Sequence, residues 1–167
     1  EDAQAFNGGL APVKIRDTWS VVNKGGEVLF ETDYAWIGPY TEGVARVTYE
    51  DENNWRTGKE NIIDVEGRLL LSEDYVIVGI FSEGCIPVRE EETGKYYFLD
   101  KNGEKAMERS FARAGSFSDG VAAVVFEHGM DTVYIDRRGS VVSAAEDYSP
   151  FSFYEGLVRY KEGERYG

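Results

Sequence analysis

The groups in this sequence able to do chemistry are its carboxylates, one histidine and a scatter of aromatic residues, and most of them recur. Asp64, Asp100 and Asp136 repeat at one position, and Glu42, Glu83, Asp119 and Glu155 at another. Two carboxylates flanking a glycosidic bond can hydrolyse it. An active site, however, is a single convergent constellation, and residues that return in every unit read as parts of a frame. His128, the single histidine, stands in Glu127-His128-Gly129-Met130-Asp131. It reads as a solvated loop residue, with metal ligation or a pH-sensitive contact as the functional alternative. No nucleophile elbow, phosphate loop or zinc-protease motif is present. The sequence predicts no catalytic residue, no metal site, no cofactor and no enzymatic activity.

Recognition is the chemistry these residues fit better. The stretch Thr48–Glu60 combines Glu50, Asp51 and Glu52 with Trp55. An exposed tryptophan there would anchor a partner; the alternative is a solvated hairpin tip whose tryptophan folds back on its sheet. The acidic run lacks the spacing and the glycine of a calcium loop. Glu90, Glu91 and Glu92 make a second acidic tip, and His128 sits in a third. These eight residues are the predicted binding set, gathered along one acidic rim.

The elements that position them follow from an internal repeat. An aromatic residue, two variable residues, a glycine and a small apolar run recur at Phe6, Tyr40, Phe81, Phe117 and Phe153. A second marker is Asn or Asp with glycine three residues on: Asn23…Gly26, Asp64…Gly67, Asp100…Gly103 and Asp136…Gly139. That is tight-turn chemistry, with the side chain accepting local N–H groups and glycine taking positive φ. The intervals Asn23 to Tyr40, Asp64 to Phe81, Asp100 to Phe117 and Asp136 to Phe153 are all 17 residues. The intervals Phe6 to Asn23, Tyr40 to Asp64, Phe81 to Asp100 and Phe117 to Asp136 are 17, 24, 19 and 19. A buried strand tolerates no slip, so the variable half holds the exposed tips at 16–18, 48–60, 89–95 and 127–132.

The predicted fold is all-β: tandem three-stranded antiparallel meanders, about four and a half units, in an open solenoid-like array, with a propeller-like arrangement as the alternative. The units span 6–39, 40–80, 81–116, 117–152 and a partial 153–167 within one domain. The connections at 31–39, 72–80, 108–116 and 144–152 are read as non-strand, with room for one-turn helical pieces. Tyr34, Trp36 and Ile37 read as packing between repeats. Strand Leu157–Lys161 is expected to find a partner in further chain, another unit or a neighbouring molecule.

Phe81-Ser82-Glu83-Gly84 and Phe117-Ser118-Asp119-Gly120, with Tyr97-Phe98-Leu99-Asp100 and Val133-Tyr134-Ile135-Asp136 ahead of their glycines, resemble the bacterial WG (KWG) repeat. The namesake dipeptide is replaced by Trp19-Ser20, Glu60-Asn61, Tyr96-Tyr97 and Thr132-Val133, and only Tyr166-Gly167 keeps its glycine. The resemblance implies a β-repeat module found in larger bacterial proteins, without implying an activity or a cofactor.

Composition narrows the partners. A net charge of −13 over 167 residues disfavours nucleic acid and anionic membranes, which require clustered Lys and Arg. Cys85 is the only cysteine, so no intrachain disulfide forms, and its place after the repeat glycine predicts a buried thiol. No apolar run reaches membrane-spanning length. The chain opens at Glu1 without an initiator methionine and stops at Gly167 partway into a unit, so it is read as an excised part of a longer protein. The expected role is non-enzymatic binding or scaffolding of a protein partner or surface polymer. The alternative is a carbohydrate-binding module that uses aromatics and carboxylates on the tips. An extracytoplasmic or cell-surface location is expected, with the cytoplasm as the alternative.

Overall fold

The computed structural model describes residues 2–50, 56–77, 79–144, 148–154, 157–162 and 165–166. Every element among them is a strand. The chain divides into two compact units, the first reaching Ile77 and taking in Lys101–Gly103, the second holding the rest.

In the first unit, β1 (Asp2–Ala3), β2 (Leu10–Ile15), β3 (Thr18–Asn23) and β4 (Val28–Thr32) form one antiparallel meander in chain order. β5 (Trp36–Ile37), β6 (Ala45–Glu50) and β7 (Arg56–Ile63) form the next, and β8 (Val76–Ile77) closes the segment. In the second unit, β9 (Cys85–Arg89) pairs with β10 (Tyr96–Asp100). β11 (Arg113–Ala114), β12 (Val121–Val125), β13 (Val133–Asp136) and β14 (Val141–Ala144) make a four-stranded meander, followed by β15 (Tyr148–Tyr154), β16 (Leu157–Glu162) and β17 (Arg165–Tyr166). No sheet among the described residues closes into a barrel.

One expectation changes. The connections are not strand-free: β5, β8 and β11 lie within them, and so does most of β15. Such strands are two residues long in the first three cases, too short for any periodicity to announce them. The strand at Leu157–Lys161 finds partners, as expected: β16 pairs with β15, which begins in the preceding unit, through Tyr160↔Tyr148, and with β17 through Lys161↔Tyr166.

The repeat motif itself is a hairpin. Thr41 and Val44 exchange both backbone hydrogen bonds, at 2.8 and 3.0 Å, around Glu42 and Gly43 with φ of 51° and 83°. Two positive φ values in a two-residue loop define a type I′ turn, whose twist suits antiparallel strands. Ser82–Cys85 and Ser118–Val121 close in the same way. The Asx turns are as predicted from their chemistry: Asp136 Oδ1 accepts from the N–H groups of Arg138 and Ser140 at 2.8 and 2.9 Å, and Gly139 takes φ 79°.

The strands after the glycine turns of the second unit are largely covered on both faces; four of the five residues of β9 and of β12 are buried. Each core is shared by successive sheets. Trp19 and Val21 from the first sheet pack with Ile37, Tyr40, Ala45, Val47 and Ile63 from the second. In the second unit, Cys85 and Phe98 pack with Phe111, Phe117, Ala122, Val124 and Ile135. Tyr34 and Trp36 lie against the first of these clusters, as expected of packing between repeats. A buried aromatic such as Phe117 contributes roughly 2–3 kcal/mol through area removed from water.

At the namesake dipeptide, polar residues have been absorbed. Glu60 pairs with Arg46 at 3.4 Å, and Arg46 lies 5.3 Å above the Trp36 ring. Asn61, 2% exposed, donates to the carbonyls of Leu71 and Glu73 and accepts from the N–H groups of Ile62 and Leu71.

Candidate functional site

The variable tips of the second unit stand on either side of a cleft. After β9 the chain turns through Glu91–Gly94; Glu90 N–H donates to Lys95 O and Gly94 N–H to Glu90 O, both at 2.9 Å, with Gly94 at φ 68°. Thr93 stiffens the tip, its hydroxyl donating to the Glu90 carboxylate and accepting from Lys95 N–H. The opposite wall is Phe126-Glu127-His128, turned by Gly129 at φ 87° with Met130 N–H bonded to Glu127 O.

The floor is the connection Ser110-Phe111-Ala112. Phe111 exchanges backbone bonds with Tyr96 of one sheet, and Ala112 N–H donates at 2.7 Å to Val125 O of the next. The chain thus changes sheets within one residue and is held from both sides. Phe111 is buried, and its ring lies 5.7 Å from that of Phe126. Arg109 covers Phe126 with its guanidinium 4.7 Å from the ring centre. The cleft has a volume of about 400 Å³ and is lined by Thr93, Lys95, Ser110, Phe126, Glu127 and His128 among others. An ammonium, an imidazole, two hydroxyls and a carboxylate around an apolar floor suit a ligand carrying both polar and apolar groups.

Of the predicted binding residues, His128 lines this cleft and Glu90 braces its opposite wall. Glu91 and Glu92 are exposed at the apex of the tip. Glu50, exposed at the end of β6, pairs its backbone with Arg56 in the first unit. Asp51, Glu52 and Trp55 lie outside the described residues. Lys95, Arg109, Ser110 and Phe126 were not in the predicted set. Aligning the repeats does bring out the ring positions, six residues before and nine after the repeat aromatic: Tyr34 and Tyr49 around Tyr40, Phe111 and Phe126 around Phe117.

In the first unit those positions hold a more polar version. The Tyr34 and Tyr49 rings meet edge-on, 5.6 Å apart at 74°. The Tyr49 hydroxyl donates to the Asp74 carboxylate; burial first, then the charge of Asp74, raise its pKa well above the ordinary phenol value. Among the described residues, no three His, Cys, Asp or Glu side chains converge on a metal-sized site.

Meanders repeated in register, with a changing tip on each, define a tandem β-repeat protein. Residues 1–19 and 19–55 match the family model of the WG containing repeat, which supports assigning the repeats to that family. No curated protein matches it. Among solved structures, it is similar to a protein of unknown function from Bacteroides caccae at 15% identity and a TM-score of 0.43, over 88% of this chain and 61% of that one.

Proposed function

We propose that this chain is a non-enzymatic binding module that holds a segment of a partner protein in the cleft between its hairpin tips. One observation carries the reading: hairpin tips from the variable half of two successive repeats are the two walls of a single cleft, while the half that joins those repeats keeps its 17-residue stride. Recognition residues placed on loops over a rigid scaffold are the usual division of labour in binding domains. The mixed lining favours an extended peptide, which offers backbone polar groups and side chains together.

A displayed peptide library panned on the native chain tests this, with a glycan array run in parallel. The expected result is a set of peptides that bind saturably and are lost with Lys95→Glu or His128→Ala. Saturable glycan binding with no peptide recovered would replace this reading with the carbohydrate one.

A further inference from the structure

The two units place an aromatic pair at equivalent positions, with opposite charge beside it. The same 77 residues separate Tyr34 from Phe111, Tyr49 from Phe126 and Thr32 from Arg109. Backbone register repeats with them: Trp36↔Thr48 and Ile37↔Val47 in the first unit, Arg113↔Val125 and Ala114↔Val124 in the second. The ring separations are 5.6 and 5.7 Å, the tyrosines meeting at 74° and the phenylalanines at 32°.

In the second unit the chain supplies its own cation to this pair, since Arg109 lies over Phe126. In the first, Thr32 stands at the position of Arg109, and its hydroxyl is turned to the Trp19 carbonyl. There the rings have a carboxylate beside them instead. Asp74 accepts from Tyr49 and, at 3.0 Å, from Asn61 Nδ2, so it is held in place before any ligand arrives. Among the described residues no cation lies over either tyrosine ring. Both rings are half-buried and Asp74 is exposed.

We propose that the Tyr34–Tyr49 pair with Asp74 binds the guanidinium or ammonium group of a partner protein's arginine or lysine, filling from outside the place that Arg109 fills from within. Aromatic faces present negative potential to a cation, and a pre-positioned carboxylate supplies the opposite charge without reorganisation. The net charge of −13 draws basic partners toward the chain. This site is built from residues of the first unit and the cleft from residues of the second, so either can fail without the other.

The test is an NMR titration of the full chain with N-acetyl-arginine amide and hexa-arginine, each against its citrulline counterpart. Arginine should shift the Tyr34 and Tyr49 ring signals saturably, and citrulline should leave them in place. Asp74→Asn should weaken binding about tenfold. Thr32→Arg, which installs the internal cation, should abolish the response while thermal stability stays close to native. Equal shifts with citrulline, shifts confined to other residues, or undiminished binding by Thr32→Arg would each overturn the proposal.

Discussion

Glu83 Oε1 accepts a hydrogen bond of 3.0 Å from the backbone N–H of Gly120, 37 residues further along the chain. Both residues belong to type I′ turns of successive repeats, with φ of 51° and 80°. Ser82 Oγ donates to Phe117 O at 2.8 Å, and Ser116 Oγ accepts from Ile80 N–H and donates to Ile80 O. Turn is thus tied to turn by side chains that recur with the repeat. This is why a carboxylate that looks catalytic in its recurrence is a brace.

Removing that brace has a measurable cost. Glu83→Ala should lower stability by about 1–2 kcal/mol, the worth of a charge-assisted bond, seen as a lower urea midpoint at unchanged slope. Glu83→Gln keeps a carbonyl acceptor at the same φ and should lose less. Equal losses in the two variants would contradict the brace.

Asn61 should be more costly to truncate. It is buried and bonded to Leu71, Glu73, Asp74 and Ile62. Asn61→Ala leaves several of these groups without a partner, at about 2–4 kcal/mol in total. Amide exchange should locate the damage, with Leu71 N–H, which donates to Asn61 Oδ1, losing protection. Native-like protection at Leu71 would rule out its role as a hub.

Acid stability should depend on Asp64. Burial acts to raise its pKa, but the N–H and guanidinium groups of Arg68 and the N–H of Glu66 outweigh burial and hold it below the ordinary carboxylate value. The folded form therefore keeps Asp64 ionised more readily than the unfolded form does. That contribution is complete above the unfolded pKa near ~4 and is lost as pH falls through the lower folded value. Asp64→Asn keeps a side-chain acceptor but removes the charge, so its urea midpoint should fall less between pH 6 and pH 3 than that of the native chain. A parallel fall would contradict the assignment.

Much of the frame was legible because its chemistry is local. Asn23, Asp64 and Asp136 bond to N–H groups two and four residues on, so composition and spacing alone revealed their turns. Trp36–Ile37 and Arg113–Ala114 were not legible as strands, because two residues show no periodicity and are fixed only by pairing with Val47–Thr48 and Val124–Val125. Of the site, His128 and the Glu90 tip could be found as exceptions to the repeat. Arg109 could not, because its contact with Phe126 depends on where the chain switches sheets two residues later, at Phe111. Asn61 was visible only as a departure from glycine; its burial gave it a role that no spacing indicates.

Exchanging the four tip residues 91–94 for Asn-Gly separates the frame from the tips in a single chain. An Asn-Gly turn closes the β9–β10 hairpin in type I′ geometry, so Tm should stay within about 4 °C of native, the shift expected for ~1 kcal/mol. Affinity for peptides selected on the native chain should drop at least tenfold, because Thr93 and Gly94 form one wall of the cleft. Unchanged affinity in a folded exchange variant would contradict the central claim that binding resides in the tips and that the repeating residues are frame.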